Sequence, residues 1–109
     1  LDLARKVEKA KQLDGPRMII ALAPCPTGWG FDPAESVEIG RLAVKTGVWP
    51  LKDYVDGEVS HTRLPHQREP VENYLRALGR FAHLFTPQKN KAMIEEIQAR
   101  VDSYWEQVG

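Results

Sequence analysis

This chain is nearly devoid of cysteine. Cys25 is the only one in 109 residues, so no internal disulfide can form and a secreted disulfide scaffold is excluded. A single thiol fits a reducing cytoplasm. Nor does the chain carry a surplus of either charge. Fifteen Lys+Arg balance fifteen Asp+Glu, which removes the electrostatic case for nucleic acid or an anionic membrane as partner. No apolar run approaches the roughly 20 residues of a membrane span. The first segment, residues 1–13, is charged and helical in pattern, unlike a signal peptide. Gly-rich dinucleotide and phosphate loops are absent, and no Ser-His-Asp arrangement can be argued. What is present is the composition of a globular protein, 42% hydrophobic and 28% charged, at a length that suits one domain.

The hydrophobic pattern predicts an α/β fold with one core strand, a small hairpin and about four helices. Leu3, Val7 and Ala10 recur at helical spacing before the stop signal Asp14-Gly15-Pro16. The unalternated run Met18–Ala23 then predicts a strand covered on both faces. Residues 24–31 read as a loop. Asp32 is the expected N-cap of a helix, with Pro33 at its first position and Glu35 completing a capping box; Gly47 ends that helix. Its apolar positions, Val37, Ile39, Leu42, Ala43 and Val44, span an arc wide enough for it to be well buried. Trp49–Val55 and Glu58–Thr62 flank Asp56-Gly57, the signature of a tight hairpin. Residues 63–69 read as an exposed connector. Pro70 opens a helix with Val71, Tyr74, Leu75 and Leu78 on one face, and Thr86-Pro87 is the expected cap of the last helix, striped by Ile94, Ile97, Val101, Tyr104/Trp105 and Val108.

The run Met18–Ala23 poses a physical difficulty. A strand apolar on both faces needs strands at its edges and layers above and below it, and the more polar hairpin does not provide them. The expectation is that the chain is part of a larger α/β subunit, or completes a sheet in a partner.

Cys25 lies where that strand should end, in Ala23-Pro-Cys-Pro-Thr-Gly-Trp-Gly30. Open α/β sheets place ligands at such ends. Two prolines direct the backbone, and Gly28 and Gly30 permit close approach of main chain. A buried structural thiol is the plain alternative. A Cys-x-x-Cys redox pair fails because Gly28 stands at the second position, and a Cys-x5-Arg phosphate loop fails because residue 31 is Phe. A Cys–His nucleophilic pair stays open, with His61, His66 and His83 available, although all three lie in polar or amphipathic stretches where a solvated histidine is the commoner role. Zinc through one Cys and scattered His lacks ligand spacing. There remains a Cys that gives one ligand to a site completed by other residues, and Cys followed by Pro is a familiar end to iron–sulfur ligand runs.

Gly15-Pro16, Ala23-Pro-Cys-Pro-Thr-Gly-Trp29, Glu38-Ile-Gly-Arg-Leu-Ala-Val-Lys-Thr-Gly47 and Val48-Trp-Pro-Leu51 together resemble the C-terminal third of the beta subunit of 2-oxoacid:ferredoxin oxidoreductases, most of all the pyruvate:ferredoxin oxidoreductase (pyruvate synthase) branch. The resemblance continues through Asp56-Gly57, Pro70-Val-Glu-Asn-Tyr-Leu75, Gly79-Arg-Phe81 and the Trp105 helix, in order and over nearly the whole chain. It implies that residues 1–109 are the C-terminal portion of a thiamine-diphosphate-binding α/β domain. It implies further that Cys25 is the last of four cysteine ligands to a [4Fe-4S] cluster, and that the reaction is oxidative decarboxylation of a 2-oxoacid to an acyl-CoA with ferredoxin as electron acceptor. The other three cysteines and the Gly-Asp-Gly motif that binds diphosphate and Mg2+ are absent from this sequence. In a full-length subunit they would precede Leu1, so this chain alone is expected to bind neither thiamine diphosphate nor a cluster and to be inactive. Its expected partners are the remaining beta-subunit segment, the other subunits, ferredoxin, coenzyme A and the 2-oxoacid. Two other readings stand beside this one. One is a non-enzymatic α/β adaptor that completes a partner's sheet, with Cys25 structural. The other is a small thiol enzyme pairing Cys25 with a histidine, marked by fast alkylation of the isolated chain.

Overall fold

The computed structural model describes residues 1–63 and 67–108, Arg63 by its backbone only. In chain order the elements are helices α1 (Asp2–Lys11) and α2 (Pro26–Trp29), a 3₁₀ turn at Pro33–Glu35, helix α3 (Ser36–Lys45), strands β1 (Leu51–Val55) and β2 (Glu58–Arg63), helix α4 (Val71–Arg76), a 3₁₀ segment at Gly79–Leu84 and helix α5 (Lys91–Val108). They fall into two compact units, Leu1–Ala23 with Pro50–Leu64, and Pro24–Trp49 with Pro65–Gly109. The mixture of helices and an antiparallel hairpin agrees with an α/β segment.

The first unit joins α1 to the hairpin. β1 and β2 pair antiparallel with Val55 opposite Glu58, so Asp56 and Gly57 form the whole turn, and a register shift lies between Leu51 and Lys52. Both turn residues have positive φ, 50° and 83°, which is why Asp-Gly occurs there. Polar contacts bind α1 to the strands. Lys9 Nζ stands 2.7 Å and Lys6 Nζ 3.7 Å from the Asp53 carboxylate. Thr62 Oγ1 donates to Asp2 Oδ1 at 2.7 Å. Partial burial raises the Asp2 pKa, but hydrogen bonds from Lys6 and Thr62 outweigh it and hold the carboxyl below its usual range.

The expected strand at Met18–Ala23 does not form among the described residues. The run takes part in no helix or sheet, and Met18 and Ile20 are 83% and 71% exposed. The reason is the one that made the run anomalous as a sequence. The hairpin is a two-stranded sheet of β1 and β2, and no further strand among the described residues offers this run an edge.

The second unit holds the core. Ile39, Ala43, Val71, Tyr74, Leu75, Leu78, Leu84, Ile94 and Trp105 are buried. Burial of one such side chain stabilises by about 1.5–3 kcal/mol. α4 places Val71, Tyr74 and Leu75 inward as its spacing requires, and Leu78 follows one turn on. α3 is less buried than its pattern suggests: Ile39 and Ala43 are inside, while Val37 is 65% exposed. Asp32 caps as expected, its Oδ1 accepting from Ala34 N at 2.9 Å. The reciprocal half of the capping box is not made. The first turn tightens to 3₁₀, and the Glu35 amide donates to Asp32 O at 2.8 Å.

Gly47 ends α3 with φ +81°. A Cβ there would stand 2.4 Å from Trp105 Nε1, and that indole N–H donates to Gly47 O at 3.0 Å. The C-terminus of α3 and the last helix are thus locked by one bond that only glycine admits. α5 begins later than Thr86-Pro87 predicts. Asn90 is the residue whose side-chain oxygen accepts the Met93 amide, at 3.1 Å. Of the connector at 63–69, residues 64–66 lie outside the described residues. Arg68 pairs with Asp102 at 3.0 Å.

Candidate functional site

The segment expected to be a loop after Ala23 contains a single helical turn, α2, and Cys25 is its N-cap. The following Pro26 restricts Cys25 to extended backbone, φ −109° and ψ 106°, and itself occupies the first helical position, where a missing N–H costs nothing. Cys25 Sγ then takes the place usually held by a Ser or Asp oxygen and accepts the Gly28 amide at 3.3 Å. Trp29 N donates to Cys25 O at 2.9 Å, and Gly30 N and Phe31 N both donate to Pro26 O. The sulfur remains exposed.

The two glycines have distinct physical roles. A Cβ at Gly28 would stand 3.3 Å from Sγ, so its absence keeps the approach to the thiol open. Gly30 adopts left-handed backbone at φ +77°. A Cβ there would meet Gly79 Cα at 2.9 Å, and the Gly79 amide donates to Gly30 O at 2.7 Å. The turn is therefore pressed, main chain against main chain, onto the start of the Gly79–Leu84 segment. Next to it, the Arg80 guanidinium lies 4.4 Å from the Trp29 ring centroid, and Trp29 meets Phe31 edge-on.

His83 is exposed in the Gly79–Leu84 segment, His61 lies on β2 in the other unit, and His66 is outside the described residues. Among the described residues no group of three or more His, Cys, Asp and Glu could hold a metal ion. Two open depressions in the second unit, of about 280 and 370 Å³, are not lined by Cys25. The arrangement suits the outward presentation of a single sulfur with a peptide N–H aimed at it. Such N–H···S bonds are among the contacts that tune metal-bound thiolates.

Cys25, Gly28 and Gly30 were legible from the sequence. Arg80 was not. It occurs in the Gly79-Arg-Phe81 string of the resemblance, but nothing in the local pattern places a residue 51 positions on against Trp29.

No family profile matches the chain. Individual proteins do. It is 53% identical over 102 residues to pyruvate synthase subunit PorB of Methanothermobacter thermautotrophicus, covering 94% of this chain and 34% of that one. It is 48% identical over 101 residues to PorB of Methanosarcina barkeri, covering 93% and 34%. It is 37% identical over 110 residues to the ketoisovalerate oxidoreductase subunit VorB of Pyrococcus furiosus, covering 98% and 33%. The chain spans about one third of the length of these relatives. No helix among the described residues is long and apolar enough to cross a membrane.

Proposed function

We propose that this chain, a PorB-like segment, is the C-terminal portion of the thiamine-diphosphate-binding beta subunit of a cytoplasmic 2-oxoacid:ferredoxin oxidoreductase, and that Cys25 is a thiolate ligand of its [4Fe-4S] cluster. The observation that carries the reading is the coincidence of two facts. The likeness to PorB runs over more than nine-tenths of the chain, and the one cysteine within it is exposed, flanked by two prolines, and accepts the Gly28 amide at its sulfur. Pyruvate is the proposed 2-oxoacid, on the names that the PorB relatives carry.

When bound, the cluster carries single electrons from the decarboxylated 2-oxoacid toward ferredoxin as the acyl group passes to coenzyme A. The residues of this chain do the holding. Cys25 is the N-cap of a helical turn whose first position is proline, which holds its backbone in the extended region. The Gly28 N–H is directed at the sulfur and donates to it at 3.3 Å. The Gly30–Gly79 contact fixes the far end of the turn. The exposed apolar run Met18–Ala23 leads directly into the site. In this reading it joins a sheet built by the rest of the subunit, which covers it on both faces and sets the height of Cys25 above the sheet.

The test is Cys25→Ser in the complete complex. The expected result is loss of about one cluster's iron per beta subunit and of the corresponding reduced-state paramagnetic signal, with other clusters intact. Unchanged iron and signal would reject the ligand role and favour the adaptor reading.

A further inference from the structure

The Cys25 turn is gripped at two consecutive points by two consecutive residues. Gly30 O accepts the Gly79 amide at 2.7 Å. One residue earlier, the Trp29 ring lies under the Arg80 guanidinium at 4.4 Å. Arg80 is itself held from two further sides. Its guanidinium carbon stands 4.9 Å from the Phe81 ring centroid, and Nη2 donates to Tyr74 Oη at 3.3 Å. Tyr74 is a core residue, 5% exposed. A chain of contacts thus runs from the core through Tyr74 and Arg80 to Trp29. Trp29 follows Gly28, the residue whose amide meets the sulfur, and its own N–H is bonded to Cys25 O at 2.9 Å. Trp29 is the last residue of α2, so a contact that holds its ring also restrains the four-residue turn that Cys25 caps.

We infer that Arg80 is a positioning residue for Cys25, acting through Trp29; the inference rests on the cluster-ligand reading given above. Arginine suits this role because its flat guanidinium stacks on a ring face while its edge still donates to Tyr74. A lysine ammonium offers a point charge without the flat face. Among the described residues Arg80 makes no ion pair with a carboxylate, so the arene faces and the phenol are what hold it.

The experiment uses the complete oxidoreductase complex carrying Arg80→Met, Arg80→Lys or Trp29→Leu, with Cys25→Ser alongside. Two quantities are read: amide exchange of the peptide spanning residues 25–30, and the paramagnetic signal of the reduced cluster. Arg80→Met should raise exchange about fivefold, the size expected of one exposed cation–π contact, and broaden or shift the signal while iron content holds. Arg80→Lys should fall between Arg80→Met and the native protein. Trp29→Leu should match Arg80→Met, and the double variant should be no worse than either. Native exchange in Arg80→Met, or additive effects in the double variant, would overturn the inference. Full iron in Cys25→Ser would instead reject the ligand reading, and the exchange data would still decide whether the clamp exists.

Discussion

In the unit formed by Leu1–Ala23 and Pro50–Leu64, no described side chain is buried, whereas the unit formed by Pro24–Trp49 and Pro65–Gly109 holds all the buried apolar residues. Both contain apolar sequence. The first has Leu1, Leu3, Met18, Ile20 and Val59, each at least half exposed, and is joined by lysine–carboxylate pairs and a threonine hydroxyl. The second has helices packed around Leu78 and Trp105. Surface ion pairs each contribute little, commonly below about 1 kcal/mol, while each core side chain contributes severalfold more. The contrast is between a unit with a buried apolar core and one whose apolar side chains stay largely exposed among the described residues. Cys25 stands just past the boundary in the sequence, at the start of the unit that holds the buried residues.

The contrast can be broken first at its strong end. Trp105→Ala removes a buried indole and the bond that closes α3, and should cost about 3–5 kcal/mol. The measurement is urea unfolding of the subunit with amide exchange over α3 and α5. A loss below about 1 kcal/mol would mean that the second unit lacks a cooperative core. The contrast is sharpened at the exposed run. Ile20→Asp should leave the exchange of the second unit within about 0.5 kcal/mol of native, as an exposed substitution does, yet reduce assembly of the full subunit severalfold. Native assembly would show that the run is not a buried strand there. The smallest effect belongs to Asp2. Its carboxyl is held below its ordinary value of 3.8, so the stabilisation it gives is full above that value and is lost as pH falls through the lower folded one. Hairpin protection should therefore drop between about pH 4 and the acid limit by about 0.5 kcal/mol, and Asp2→Asn should abolish that step. A step that persists in Asp2→Asn belongs to another group.

How far the sequence foretold these features depends on the distance over which each is determined. Asp56-Gly57 set the hairpin because both residues tolerate positive φ, and the turn needs nothing else. Asp32 marks the start of the 3₁₀ turn that leads into α3, and Gly47 marks the stop after α3, each through bonds within one helical turn. The cap of α5 was misplaced because Thr86-Pro87 and Asn90 both carry start signals, and only packing selects between them. Met18–Ala23 has the composition of a strand, but a strand exists by pairing, and its partner is not encoded in the run. Cys25 was singled out by its solitude and its prolines. Its role as an N-cap was hidden because sulfur seldom takes that place, and Arg80 was hidden because its contact with Trp29 is made by the fold.

The central claim is that Cys25 holds iron. Iron and acid-labile sulfide per beta subunit, measured on the purified complex with and without Cys25→Ser, test it most directly. The account predicts a deficit of about one cluster in the variant, with subunit composition unchanged. Equal iron and sulfide in the two proteins would contradict it.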